Sequence, residues 1–406
     1  MRAPKYRSTG KPAARGDTMR GPMPRHPFHD VALVGAYHTR QAKVLAGVRE
    51  LDVVLDAVRG ALAAANLRPA DVDGVNVRSS VWRLNPREAA AWFGGRPVWT
   101  GVALGIEGVI EAALAIATGQ CETVVIADAQ AGEYTDREST SPWTRPTNEF
   151  VACWGLYTAA EFALIARRHM HLYGTRPEAL AEVAATIRNH GARHPDAVFY
   201  GRRVTPEDVL ASRLVADPYH LLDCAINSEG GAGLVLTTAE RAADLGVEPI
   251  YLLGAAIERQ GMAYVTAPVW DRYGWSGRRA AQRAFAQCGL TPAEVDVCEF
   301  YDPFSFELIR QLEAFGFCKE GEGGDFVMNG RIEIDGECPL VTNGGLLSFS
   351  HPGTAQLLQK VTSSVLQLQG AYPAELTVPE ATVAMTSNGG AGALFCDVML
   401  LGREKP

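Results

Sequence analysis

Short continuous apolar runs alternate along this chain with longer stretches whose apolar residues recur at helical spacing, and the alternation starts at Asp30. Val31 to Gly35 reads as a strand buried on both faces, and residues 50–65 repeat apolar positions three and four apart, so a βα unit opens the patterned region. The phrase Leu67-Arg-Pro-Ala-Asp-Val-Asp73 then turns the chain into a second run, Gly74 to Arg78, with Pro69 opening a short turn. The phrase returns as Leu290-Thr-Pro-Ala-Glu-Val-Asp296, after a helical stretch at 280–287 and before the run Val297 to Tyr301. The strand Ile250 to Gly254 likewise mirrors Val31 to Gly35. The remainder of each part also matches: residues 99–105 lead into an Ala-rich helix at 109–118 and a strand at 122–128, while residues 343–353 lead into a helix at 355–368 and a strand at 381–385.

This self-similarity predicts an internal duplication. Continuous apolar strands joined by amphipathic helices imply an α/β fold with strands covered on both sides, hence a five-layered α/β/α/β/α arrangement about a pseudo-twofold axis. The expected divisions are a disordered tail over 1–27, a first half over 28–245 with an excursion at 150–220, and a second half over 246–406. The tail is rich in Arg, Lys, Gly and Pro without periodicity. The excursion carries helical patterns at 159–173 and 177–190 and then Arg202, Arg203 and Arg213. An insertion of that length suggests a lid or binding loop, and its arginines are candidate phosphate partners.

Composition narrows the classes. With 406 residues, 47% hydrophobic and 21% charged, the chain has the make-up of a globular protein, and a net charge of -8 disfavours nucleic acid and anionic membrane surfaces. No apolar run reaches the eighteen or so residues of a membrane span, and no signal peptide is read before the first strand, so a cytoplasmic protein is expected. Eight cysteines without CxxC spacing suggest reduced thiols rather than a zinc site, and no metal is expected.

Candidate chemistry concentrates in Val341 to Gln356. Gly344 and Gly345 read as a turn, and His351 sits on a loop before a helix start, with Pro352 fixing φ and Gly353 allowing close backbone packing. Such a histidine is expected to be presented rather than buried, to titrate near neutral pH, and to serve as acid, base or oxyanion donor. The Gly-rich stretches at 223–236 and 387–395, the latter with Gly389 and Gly390, each lead into a strand and not a helix. That argues against a dinucleotide fingerprint and for tight turns that set backbone N–H groups beside a site.

With the duplication, these glycines and the Ser350-His351-Pro352-Gly353 loop in view, the chain resembles the thiolase superfamily, and within it the sterol-carrier-protein or lipid-transfer-protein branch. The box Glu299-Phe-Tyr-Asp-Pro-Phe-Ser305, the stretch Gly316 to Gly323 and the phrase Asp223-Cys224 fit that branch, and the resemblance runs from Asp30 to the C-terminus. It implies that the position of the family's nucleophilic cysteine is Val102, which has no nucleophilic atom, and that the second cysteine falls at or beside Asn388. His351 persists, and Tyr301 stands where thiolases carry Asn or His. Cysteine-less homologues from steroid-degrading bacteria are aldolases that split a β-hydroxyacyl-CoA side chain and work with a small OB-fold partner. By resemblance, Tyr301 and His351 form an acid/base pair and Asn388 orients water or substrate; a second tyrosine of those aldolases falls where this chain keeps His351. Val102, Gly344, Gly345, Gly389, Gly390, Tyr157, Phe304, Arg202 and Arg203 are the expected substrate contacts, with Trp154, Trp270 and Trp275 as further candidate pocket aromatics. No resident cofactor is implied beyond coenzyme A as part of the substrate, and a homodimer is expected. Two alternatives stand beside the lyase: an acyltransferase that uses another thiol, for which Cys153 is the candidate, and a noncatalytic acyl-CoA-binding scaffold.

Overall fold

Gly35 and Gly254 occupy equivalent places, each where a strand lies directly against a helix backbone. A Cβ on Gly35 would stand 2.2 Å from the Ala61 carbonyl oxygen, and one on Gly254 would stand 2.3 Å from that of Ala284. The computed structural model describes residues 25–79, 86–132, 158–260, 275–390 and 394–406. Most of the basic tail, Cys153, Trp154, Tyr157 and Trp270 lie outside the described residues.

The first half is built from β1 (Val31–His38), α1 (Glu50–Ala64), β2 (Gly74–Val77), β3 (Trp99–Thr100), α2 (Gly105–Ala117), β4 (Thr123–Gln130), the excursion helices α3 (Thr158–Tyr173) and α4 (Pro177–Arg193), and β5 (Gly230–Thr238). The second contains β6 (Ile250–Arg259), α5 (Arg278–Cys288), β7 (Val297–Glu299), α6 (Ser305–Phe315), α7 (Ala355–Leu368), β8 (Val383–Gly390) and β9 (Phe395–Gly402). The repeated phrase folds twice into the same device. Pro69–Asp71 and Pro292–Glu294 are 3-10 turns with proline in the first turn, where its missing N–H costs nothing. Asp73 then accepts the Thr123 amide at 2.7 Å, and Asp296 accepts the Thr382 and Val383 amides at 2.9 and 3.0 Å. Each carboxylate therefore ties one strand to the start of the next, and β4 corresponds to β8.

The sheet order is β3-β2-β4-β5-β1-β6-β9-β8-β7. The halves join antiparallel between β1 and β6 through two residue pairs, Ala32 with Tyr251 and Leu33 with Ile250. This edge-to-edge seam adds to the expected layering: α1 covers one outer face, α5 the other, and α2 and α7 pack together between the two half-sheets. Ile106, Val109, Ala112, Val124, Ile126, Leu358, Val361 and Val365 make that central core.

Three expectations change. Helix α7 is amphipathic in sequence, yet its polar face is not solvated: it is buried almost all round, and Gln356, Gln359, Lys360, Thr362, Ser363, Ser364 and Gln367 are all inside. The described glycines of the two Gly-rich stretches lie within the ladder rather than in turns. Gly230 and Gly231 belong to β5, while Gly389 and Gly390 pair with Cys396 and Phe395 at the end of β8. Gly233 needs its lack of a side chain because a Cβ would meet the Ala57 carbonyl of α1 at 2.3 Å. The described excursion is a packed wall rather than a lid, since a Cβ on Gly344 would meet Gly191 of α4 at 2.4 Å.

Candidate active site

Residues 345–349 form a π-helical turn, and the chain leaves it extended at Ser350 to present His351. Three segments are stitched together here. The Ala225 amide donates to the Pro303 carbonyl at 2.8 Å, and the Ile226 amide donates to that of Leu346 at 3.0 Å. Asp302, fully buried, accepts from the Leu346 and Leu347 amides at 2.9 and 3.3 Å. The box carrying Tyr301 and the loop carrying His351 are thus brought to one place although fifty residues separate them in sequence.

His351 is half-buried, and its Nδ1 lies 3.0 Å from the Ile226 carbonyl. A carbonyl only accepts, so Nδ1 carries the hydrogen and Nε2 holds a lone pair. Burial, reinforced by the Lys360 charge, pushes the imidazole down to about 4, against the weaker upward effect of the Ile226 bond. The expectation of a histidine titrating near neutral pH is therefore corrected: the ring is neutral there. Its backbone is fixed too, for the His351 amide donates to Ser228 Oγ at 2.6 Å, Ser228 meets Ser350 at 2.9 Å, and Ser350 donates to Gln41 at 2.6 Å.

Tyr301 lies two residues beyond the end of β7 and is 6% exposed. Its amide donates to Ser387 Oγ at 2.9 Å and its carbonyl accepts from Gln311 at 2.6 Å, so the backbone is held on both sides. The ring lies over Gly389, where a Cβ would come within 2.9 Å of Cδ1. Behind this box Lys360 pairs with Asp302, and Glu299 accepts the Thr342 amide at 2.9 Å. Burial raises both carboxyls above their ordinary values, with Lys360 and the hydrogen bonds opposing it.

The other expected contacts take different roles. Asn388 is a tie and not a substrate-orienting group: its Oδ1 accepts the Ile106 amide of α2 at 2.8 Å, and its Nδ2 donates to the Leu357 carbonyl of α7 at 2.9 Å. Both ends of the amide are engaged, because a buried amide left unpaired would be costly. Phe304 belongs to the core, stacked on Tyr219 at 4.8 Å and packed against Phe162 at 5.0 Å. The Gly345 amide bonds to Asn343 at 2.9 Å and that of Gly344 to the Val341 carbonyl at 3.1 Å, so neither is a free oxyanion donor. A Cβ on Gly390 would strike the Phe395 ring at 2.7 Å, which makes this glycine a packing requirement. Arg202 and Arg203 are exposed, and Arg202 stacks over Phe199. Trp275 likewise holds the Arg278 guanidinium. Val102 is 65% exposed at the mouth of α2, with its amide donating to Glu111 and its carbonyl accepting from Arg78.

Comparison with known proteins bears on this arrangement. Residues 272–403 match the thiolase C-terminal domain-like family. The chain is 36% identical over 338 residues to the steroid side-chain-cleaving aldolase of Thermomonospora curvata, spanning 75% of this chain and 82% of that protein. It is 35% identical over 360 residues to the 17-hydroxy-3-oxo-4-pregnene-20-carboxyl-CoA lyase of Mycobacterium tuberculosis, spanning 84% and 91%. This chain belongs to the thiolase superfamily. Among solved structures, the Ltp2-ChsH2(DUF35) aldolase superposes with a TM-score of 0.79 at 30% identity, covering 92% of this chain and 98% of that one.

Within the superfamily it falls in the sterol-carrier-like aldolase branch, and it is a thiolase-fold lyase. The absence of a nucleophile at Val102 is consistent with that class, and six of the seven described cysteines are held as thiols. All are free, and burial raises the thiols of Cys121 and Cys224 to about 12 and those of Cys288, Cys298, Cys318 and Cys396 above their ordinary value. A thiol so shifted is not a thiolate at neutral pH.

Sequence reading passed over Asp302, Lys360, Asp128, Ser228 and Gln41. One signal was available: Lys360 is the only charged residue in 355–368, a helix otherwise made of apolar and small polar residues. A lone lysine in such a helix points to a buried partner.

Proposed function

We propose that this protein cleaves the Cα–Cβ bond of a β-hydroxyacyl-CoA by retro-aldol chemistry, with no acyl-enzyme. The observation that carries the reading is Val102, exposed at the position where thiolases hold their nucleophile, in a chain whose aldolase and lyase relatives match it along most of their length. Without a thiolate the remaining work is proton transfer and charge stabilisation. A base takes the proton of the β-hydroxyl, the carbonyl forms as the Cα–Cβ bond breaks, the electron pair passes into the thioester enolate, and Cα then takes a proton.

Tyr301 and His351 are the acid/base pair in this reading. The free Nε2 lone pair of a neutral His351 accepts a hydrogen bond from a protic neighbour, and Tyr301 offers a phenolic O–H. The substrate class follows the relatives: a CoA thioester of a steroid side chain bearing a hydroxyl on the β carbon. No resident cofactor is needed, since the thioester itself holds the charge of the enolate. We further infer a cytoplasmic, two-component assembly, in which an OB-fold subunit accompanies a homodimer formed along the edge strand β3. The exposed Val98 and Val102, at 75% and 65%, flank that strand, and the similar solved structure is named for two components.

Purified protein incubated with 17-hydroxy-3-oxo-4-pregnene-20-carboxyl-CoA and with a β-ketoacyl-CoA panel tests the proposal. Release of a ketone and a shortened acyl-CoA from the hydroxylated substrate supports it. A covalent acyl adduct on any cysteine, Cys153 included, detected by mass spectrometry, would assign acyl transfer instead; binding without turnover, alone and with the copurifying partner, would leave a scaffold.

A further inference from the structure

Asp128 lies at the C-terminal end of β4 on the same face as Val124 and Ile126, toward the layer made by α2 and α7. It is 5% exposed. Its Oδ2 accepts a hydrogen bond from the Thr354 hydroxyl at 3.0 Å, and Oδ1 is buried with no partner among the described residues. Thr354 stands three residues after His351 at the start of α7, where its hydroxyl reaches Asp128 rather than capping the helix. Two residues along β4, Gln130 fills the space over Gly353, where a Cβ would come within 1.9 Å of its Oε1. Arg78, whose amide donates to the Ala127 carbonyl at 2.9 Å, also binds the Val102 carbonyl. Asp128 therefore sits against the loop that carries His351, and Arg78 links its strand to Val102.

The duplication sharpens the contrast. Asp73 and Asp296 align Thr123 of β4 with Val383 of β8, which sets Asp128 against Asn388. Asn388 fastens the start of α2, and Asp128 fastens the start of α7. Asn388 uses its oxygen and its nitrogen; Asp128 uses one oxygen of two. A buried carboxylate oxygen without a donor is unfavourable unless a ligand or water supplies one. Burial raises the carboxyl to about 6, opposed by the Thr354 bond, the Arg78 charge and a weaker backbone contribution from the Ala129 amide, too poorly aligned to satisfy Oδ1, and assisted by Glu50, so it is an acceptor at neutral pH.

We propose that Asp128 is a further substrate-contacting residue of this lyase, its Oδ1 accepting the hydrogen bond of the substrate's β-hydroxyl in the bound ground state, before the Tyr301–His351 pair takes that proton. The inference rests on the lyase reading. Calorimetric binding of 17-hydroxy-3-oxo-4-pregnene-20-carboxyl-CoA and of its 17-deoxy counterpart, in a Tyr301→Phe background that slows turnover, tests it. The parent should prefer the hydroxylated ligand by about tenfold or more, the scale of a hydrogen bond to a charged group. Asp128→Asn, or Asp128→Ser if the first does not fold, should lose most of that preference while binding the deoxy ligand as before, and Thr354→Val should keep it. Full preference in the Asp128 variants overturns the inference, as does an equal loss for both ligands, which would make Asp128 a support of the loop. A parent that binds both ligands without preference overturns it and leaves the lyase assay standing; a parent that binds neither overturns both.

Discussion

Replacing Lys360 by Met tests the electrostatic frame beneath the His351 loop. Lys360 is 2% exposed and its partner Asp302 is fully buried. Without the ammonium, the Asp302 carboxylate keeps only the Leu346 and Leu347 amides, and Glu299 beside it already has one oxygen without a partner among the described residues. Removing one member of a buried pair costs about 3–5 kcal/mol, because the remaining charge is left in a medium that solvates it poorly. The sign with pH follows from Asp302, whose folded-state value lies above the ordinary carboxylate range. Such a group favours the folded state below its unfolded value and costs stability as pH rises through its folded value. Deleting Lys360 raises that folded value further, so the cost should be larger at pH 8 than at pH 5. Urea unfolding followed by tryptophan fluorescence at both pH values measures it. Lys360→Met combined with Asp302→Asn should recover more than half of the loss, since the uncompensated charge is then gone. A single variant that costs less than about 1 kcal/mol at pH 8 would refute the reasoning, since a buried and uncompensated carboxylate could not be tolerated so cheaply.

Other consequences can be checked separately. Tyr301→Phe and His351→Ala should each lower kcat by roughly a hundredfold or more if these groups carry protons, and near-normal turnover in both removes the assignment. Because His351 is held neutral down to about pH 4, the pH profile of kcat/KM should show no limb from it between pH 5.5 and 8, and such a limb lost in His351→Gln would contradict the burial reading. Gly35→Ala and Gly254→Ala should each destabilise by about 2–3 kcal/mol in thermal melts, as an added Cβ in either half meets a helix carbonyl. Glu161, 1% exposed and unpartnered at both oxygens among the described residues, has its carboxyl raised by burial to about 7. Wild-type stability should therefore fall between about pH 4.5 and 7 by an amount that Glu161→Gln does not lose, on the order of 1–2 kcal/mol in urea midpoints at pH 5 and 8.

Much of the fold was legible because it is written in local patterns that occur twice. Leu67 to Asp73 and Leu290 to Asp296 announce the same turn, since proline, a helix-compatible pair and an aspartate act over a few residues and need no distant partner. The helix at 355–368 was placed correctly for the same reason, yet its surroundings were not, because burial on every side is decided by the second half-sheet. Gly389 and Gly390 were read as a turn since glycine is permissive there, whereas the pairing with β9 makes them strand.

The site divides along the same line. Residue identity alone says that Val102 has no nucleophilic atom, a property of the side chain, while its place in the site and the pairing of Tyr301 with His351 came from the family resemblance. Only the folded molecule decided that Asn388 is occupied by two helix termini, that Asp302 and Lys360 hold the His351 loop from inside, and that burial shifts His351 toward its neutral form. Hydrogen-bond saturation and charge burial depend on what lies within a few ångströms, and the partners concerned are separated by tens to hundreds of residues in the chain.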